Sequence, residues 1–158
     1  MLKYLHTQVT FREIPDEITL CINITGCKNA CPGCHSPYLA EDIGEEIYPD
    51  TIVDFYEKYD GVSCICFMGG DSDPIWINTL AEFVKMNIPK WKVAWYSGRQ
   101  GLSNDIEIRN FDYIKLGSYI EEKGPLSSRT TNQRMYKIIK INDAYKMEDI
   151  TYKFWKDA

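Results

Sequence analysis

The chain is short of several things, and each shortage narrows the field. It has no run approaching the ~20 apolar residues that a membrane-spanning helix needs. Its opening, Met1-Leu2-Lys3-Tyr4-Leu5-His6, lacks the apolar stretch of a secretory signal. It also lacks a basic surplus, with 18 Lys and Arg against 23 Asp and Glu and a formal net charge of −5. General nucleic-acid binding requires a basic face to neutralise phosphates, so neither nucleic acid nor membrane is an expected partner. No internal repeat, low-complexity tract or linker-like Pro/Gly/Ser run interrupts the sequence, and residues 1–158 read as one domain. At 158 residues with 44% hydrophobic composition, that domain can bury a real core. The expected location is cytoplasmic, where six cysteines read as metal ligands or buried thiols rather than disulfides.

What is present alternates between strand-like and helix-like patterns. From Glu17 to Thr25, Ile18, Leu20, Ile22 and Ile24 alternate with Thr19, Cys21, Asn23 and Thr25, the period of a strand. A polar loop with Gly and Pro follows from Gly26 to about Pro37. A helix is expected from about Thr51 to Tyr59, capped by Asp50, and a second from Pro74 to about Met86 with Pro74 in its first turn. Val62–Met68, Trp91–Tyr96 and Tyr113–Leu116 read as further strands, Met135–Ile141 as a fifth, and the tail after Met147 as another short strand or helix. Strands alternating with helices predict parallel pairing through crossover connections. A closed eight-unit barrel needs roughly 200 residues or more, so the expected fold is α/β, a partial, open (β/α) barrel with a mostly parallel curved sheet. Thr25-Gly26, Gly69-Gly70, Ser97-Gly98 and Gly117-Ser118 should then share the rim at the C-terminal strand ends.

The cysteine spacing points to chemistry. Cys27, Cys31 and Cys34 form a C-x3-C-x2-C loop directly after the first predicted strand. Three thiolates on one loop can hold three corners of an iron–sulfur cube and leave one iron open for a ligand. The alternative is a structural zinc site completed by His35 or a distant cysteine. His35 adjoins Cys34, a poor spacing for two ligands of one tetrahedral ion, and only one C-x2-C unit is present. Cys64 and Cys66 lie two apart in a strand and share a face. With Cys21, they read as buried fillers.

At these residues the sequence resembles the radical S-adenosylmethionine (SAM) superfamily. More narrowly, Gly26-Cys27-x3-Cys31-Pro32-Gly33-Cys34-His35 is similar to the activating proteins of anaerobic ribonucleoside-triphosphate reductase. Gly69-Gly70-Asp71, Ala94-Trp95-Tyr96-Ser97-Gly98 and Thr131-Asn132-Gln133-Arg134 resemble further segments of that family in order and spacing. In two places the chain departs from the pattern. Ser72-Asp73 stand between Asp71 and Pro74, and Thr10–Pro15 lacks a glycine-rich approach to the first strand.

The resemblance implies an oxidoreductase with a [4Fe-4S] cluster on Cys27, Cys31 and Cys34 and SAM on its open iron. Reductive cleavage of SAM would generate a radical that removes hydrogen from a glycine Cα of the reductase, leaving a glycyl radical there. It implies a flavodoxin-like electron donor and a radical-SAM type of barrel. Gly33 and His35 are expected against the SAM adenine or ribose and Gly69 and Gly70 around its ammonium, with Asp71 holding that turn or favouring the same charge. Ser97 offers a hydroxyl at the same rim, and Asn132, Gln133 and Arg134 are candidates for lining the partner's glycine loop or for bracing the site from the C-terminal side. Within enzymes, the alternatives are an activase of another glycyl-radical enzyme or a small-molecule radical-SAM enzyme. Outside enzymes, the alternative is a zinc or iron–sulfur adaptor.

Overall fold

The computed structural model describes residues 1–27 and 37–155. The described elements are β1 (Lys3–Thr10), β2 (Thr19–Ile24), β3 (Glu45–Glu46), α1 (Pro49–Lys58), β4 (Cys64–Met68), α2 (Pro74–Asn87), β5 (Lys92–Tyr96), β6 (Tyr113–Leu116), β7 (Arg134–Ile141) and β8 (Ala144–Asp149). The strands form one eight-stranded sheet in the order β3-β1-β2-β4-β5-β6-β7-β8. Its centre, β2-β4-β5-β6, is parallel. On both flanks the pairing is antiparallel, with β1 on β2, β3 on β1, β7 on β6 and β8 on β7.

The expectation of a partial, open (β/α) barrel with a mostly parallel sheet is therefore overturned. The sheet is mixed, and only two α-helices occur among the described residues. The causes are local. Between β5 and β6 the chain makes only a short 3₁₀ turn, Ile108–Asn110, in place of a third helix. Asn142 and Asp143, both at positive φ, then close a two-residue hairpin between β7 and β8. Two successive left-handed residues match the twist of antiparallel strands, so this turn forces the chain straight back.

Each helix starts where its sequence provides donors or acceptors. Asp73 accepts the Trp76 amide at 3.1 Å and so caps α2, with Pro74 as its first residue. Helix α1 begins at Pro49, so Asp50 sits in the first turn instead of capping, and Thr51 Oγ1 accepts the Tyr48 amide.

Both helices cover one face of the sheet. Ile52 and Phe55 of α1 and Ile77, Leu80, Ala81 and Val84 of α2 pack with Leu20, Ile22, Ile65, Phe67, Val93, Trp95 and Ile114. Alternation sends the remaining strand residues to the other face, where Cys21, Cys64, Cys66, Ala94, Tyr113 and Met135 pack beneath Ile14 and Ile150. The expectation that Cys21, Cys64 and Cys66 are buried fillers holds, since all three sit in this second core. Burial pushes the Cys64 and Cys66 thiols well up, which keeps them protonated.

The second core also encloses charge. Glu17 is buried and accepts from Ser63 Oγ at 2.9 Å, Lys92 Nζ at 2.9 Å and Tyr113 OH at 3.2 Å. Burial, and then the Glu17 carboxylate, raise the Tyr113 phenol above its ordinary value of 10.0. Below that value Tyr113 is protonated in both folded and unfolded chains, and its stabilising contribution is complete. Above it, the unfolded chain releases the proton and the folded chain keeps it, so stability falls until the folded phenol also ionises. We expect Tyr113 to steepen the alkaline loss of unfolding free energy by at most about 1.4 kcal/mol per pH unit. Urea denaturation across that range should give a shallower slope for Tyr113→Phe than for the wild type. An equal slope would remove Tyr113 from the account.

Candidate metal and cofactor site

Because β2, β4, β5 and β6 run parallel, their C-terminal ends share one rim. Four turns leave from it: Thr25–Cys27, Gly69–Asp71, Ser97–Gly98 and Gly117–Ser118. The first is anchored by the chain that returns to it. Thr25 donates to Lys3 O at 2.9 Å through its amide and to Ile43 O at 2.6 Å through its hydroxyl. Gly26 and Cys27 donate their amides to Glu41 O and Leu39 O at 3.0 and 2.9 Å. Cys27 is thus bonded directly to Leu39, and Gly26 to Glu41. Cys31, Gly33, Cys34 and His35 lie outside the described residues, and Cys27 is the member of the motif that the structure describes.

Cys27 borders a pocket of about 200 Å³ together with Leu39, Asn23 and Ile24 of β2, Met68 and Gly69 at the end of β4, and Tyr96 at the end of β5. Strand register aligns part of this wall into a single rung. Asn23 pairs with Met68, Met68 with Tyr96, and Tyr96 with Lys115. The Lys115 ammonium is buried, donates to Gly117 O at 3.1 Å and lies 5.4 Å from the centre of the Tyr96 ring, a cation–π distance. The Tyr96 hydroxyl donates to Glu13 O. Burial pushes its phenol well up, with Cys66 and Glu13 adding to the effect, so Tyr96 stays neutral at the pocket wall.

The Gly69-Gly70-Asp71 turn is fixed from several sides. Both glycines have positive φ, 106° and 96°, where side chains are strained. A Cβ on Gly70 would lie 2.6 Å from Ile77 Cδ1, so helix α2 packs directly against the turn. Gly69 O accepts from Trp95 Nε1 at 2.7 Å, and Gly70 O from the Asp73 amide at 3.1 Å. A carbonyl has a second lone pair, so Gly69 at the pocket wall retains the capacity to accept from a bound ammonium. Asp71 is buried. One carboxylate oxygen accepts from Ser97 Oγ at 2.6 Å, the other from the Gly98 amide at 2.8 Å, and its carbonyl accepts from Arg99 Nη2 at 2.9 Å. In these bonds Asp71 and Ser97 tie one rim turn to the next.

The fourth turn is braced from the C-terminal side. Gln133 Nε2 reaches Gly117 O at 3.4 Å and Asn132 Nδ2 reaches Ser118 O at 3.0 Å, while Arg134 pairs with Asp149 across β7 and β8 at 3.6 Å. A Cβ on Gly117 would stand 3.1 Å from Gln133 Cα, too close for comfort.

Sequence reasoning missed Trp95, Arg99 and Lys115. The last left a signal, because a lysine inside the short apolar strand Tyr113-Ile114-Lys115-Leu116 must either snorkel or serve a buried partner.

Among the described residues, Cys27 places one sulfur donor beside the Gly69 turn, and the other two thiols of the motif lie outside them. Among the described residues no group of three or more His, Cys, Asp and Glu side chains is arranged to hold a metal ion, nor is any helix long and apolar enough to cross a membrane. The chain matches no family model, no curated protein and no solved structure.

The Gly70 packing yields a direct test. Gly70→Ala should lower the unfolding free energy by about 2–5 kcal/mol, combining strain at positive φ with overpacking against Ile77. Adding Ile77→Ala should cost less in that background than in the wild type, because it removes the clash. Purely additive losses in chemical denaturation would contradict this geometry.

Proposed function

We propose that this chain is a radical-SAM activase, with a [4Fe-4S] cluster on Cys27, Cys31 and Cys34 and SAM beside it. Its proposed target is a glycine of anaerobic ribonucleoside-triphosphate reductase, and its proposed electron donor is a flavodoxin-like protein. The reading rests on the C-x3-C-x2-C motif and does not depend on a barrel. The observation that carries it is the meeting of Cys27 and Gly69, from the adjacent strand ends of β2 and β4, at one pocket. Held by Cys27, Cys31 and Cys34, such a cluster would supply one-electron chemistry to SAM, directed at hydrogen removal from the partner's glycine Cα.

The chain's own residues would prepare that chemistry. Gly69 would bring backbone without a side chain to the pocket wall. Trp95 holds the Gly69 carbonyl from the core side, and the Asp71–Ser97–Gly98 bonds fix the turn before any ligand arrives. Pre-fixed polar groups need no reorganisation when the cofactor binds. Leu39, Met68 and Ile24 make the pocket predominantly apolar, which keeps water from a reactive centre. Gly33 and His35, on the loop that leaves from Cys27, would complete the SAM contacts. A cytoplasmic, reducing setting accords with Cys21, Cys64 and Cys66, which carry no disulfide.

Anaerobic reconstitution with iron and sulfide, followed by assay of 5′-deoxyadenosine from SAM under strong reductant, tests the reading. Product should vanish in Cys27→Ala, Cys31→Ala and Cys34→Ala and persist in Cys64→Ala. Equal losses at all four positions would undo the ligand assignment. Zinc retained in place of iron would leave an adaptor.

A further inference from the structure

A second pocket lies at the end of the sheet opposite the cysteine loop, where β4 and β5 begin. It measures about 320 Å³, against about 200 Å³ beside Cys27. Tyr56 and Tyr59 line it from the end of α1, Asp60 and Val62 from the turn into β4, and Lys90 and Trp91 from the approach to β5. Ligand sites run from roughly 300 Å³ upward, so this one is sized for a small molecule.

Three polar groups in its wall have bonding capacity to spare. Trp91 is only 3% exposed, yet its indole N–H has no acceptor among the described residues. Trp76 and Trp95, by contrast, donate theirs to Ile47 O and Gly69 O. The Trp91 N–H is not sealed off, since the enclosed unpaired side-chain atoms belong to Thr19, Asn132 and Trp155. Asp60 Oδ1 accepts the Gly61 amide at 3.1 Å, and its Oδ2 enters no hydrogen bond or ion pair among the described residues. Lys90 enters none either. Asp60 and Lys90 thus carry opposite charges on one pocket without pairing with each other. The C-terminus of α1, at Lys58, adds partial negative charge on the Asp60 side. Part of the aromatic wall is already engaged, with Lys58 Nζ 5.2 Å over the Tyr59 ring and Thr7 Oγ1 2.7 Å from the Tyr59 hydroxyl. Tyr56, edge-on to Trp91 at 5.2 Å, and Val62 remain to meet an apolar group.

We propose that this pocket binds a free α-amino acid with an apolar side chain. The ammonium goes to Asp60, the carboxylate to Lys90 and the Trp91 N–H, and the side chain to Tyr56 and Val62. Charge complementarity selects the zwitterion. A simple cation would face the Lys90 ammonium and leave the indole N–H unmet. A simple anion would face Asp60 and the negative end of α1. The inference is independent of the reading of the cysteine site.

Titration of the isotope-labelled full chain with L-leucine and L-phenylalanine, under anaerobic conditions and followed by nuclear magnetic resonance, tests it. The Trp91 indole resonance, identified by its loss in Trp91→Phe, should shift and saturate. Phenethylamine and phenylpropionate each keep one of the two charges and should bind about tenfold or more weakly. Asp60→Asn and Lys90→Met, both at exposed positions, should weaken L-phenylalanine binding by a similar factor with unchanged far-UV circular dichroism. Lys140→Met, on β7, should leave it intact. A Trp91 resonance indifferent to both amino acids up to high millimolar concentration would overturn the proposal. So would equal binding of either single-charge analogue, or full binding by Asp60→Asn and Lys90→Met.

Discussion

The carboxylate of Asp71 is buried, and the shape of the rim depends on it. A buried charge is tolerable only when its lone pairs are met, and here a serine hydroxyl and a backbone amide from the neighbouring strand end meet them. The consequence is geometric. The turn after β4 cannot move without the turn after β5, and Arg99 extends the tie because its own carbonyl receives the Gly117 amide at 2.7 Å. Three strand ends are thus bonded into one unit, and Gly69 at its margin lines the pocket. Cys27 joins from the fourth strand through the separate ladder to residues 39–43.

The two faces of the sheet divide the labour. The helix-covered face is aliphatic and aromatic and supplies most of the burial. The other face contains thiols, a thioether, phenols, a lysine and a glutamate, each satisfied at short range. Polar groups in a core add little net stability, yet they fix geometry, because any shift would strand one of them without a partner. The rung Asn23–Met68–Tyr96–Lys115 lies at the upper limit of this face and forms the transition from core to pocket.

The parallel centre was legible in the sequence because its signals are local. Alternation marked β2, apolar runs ending in glycine or serine marked β4, β5 and β6, and Pro74 marked the start of α2. The flanks were not legible for equally physical reasons. β1 is an edge strand whose mixed polar and apolar residues show no strong alternation. The Asn142-Asp143 pair was available as a hairpin signal, and overlooking it turned an antiparallel flank into an expected continuation of the barrel. At the site, spacing singled out Cys27, and a glycine pair closing an apolar run singled out Gly69 and Gly70. The bonds of Asp71 to Ser97 and of Lys115 to Gly117 join residues that no short motif connects, so only the fold brings them into view.

The central claim is that Cys27 anchors a cluster with one iron free to take SAM. Electron paramagnetic resonance of the reconstituted, reduced protein, with and without SAM, tests it most directly. The account predicts the signal of a reduced [4Fe-4S] cluster whose line shape changes when SAM is added, in the absence of any partner. A cluster signal indifferent to SAM, or a protein that holds zinc and gives no signal, would contradict it.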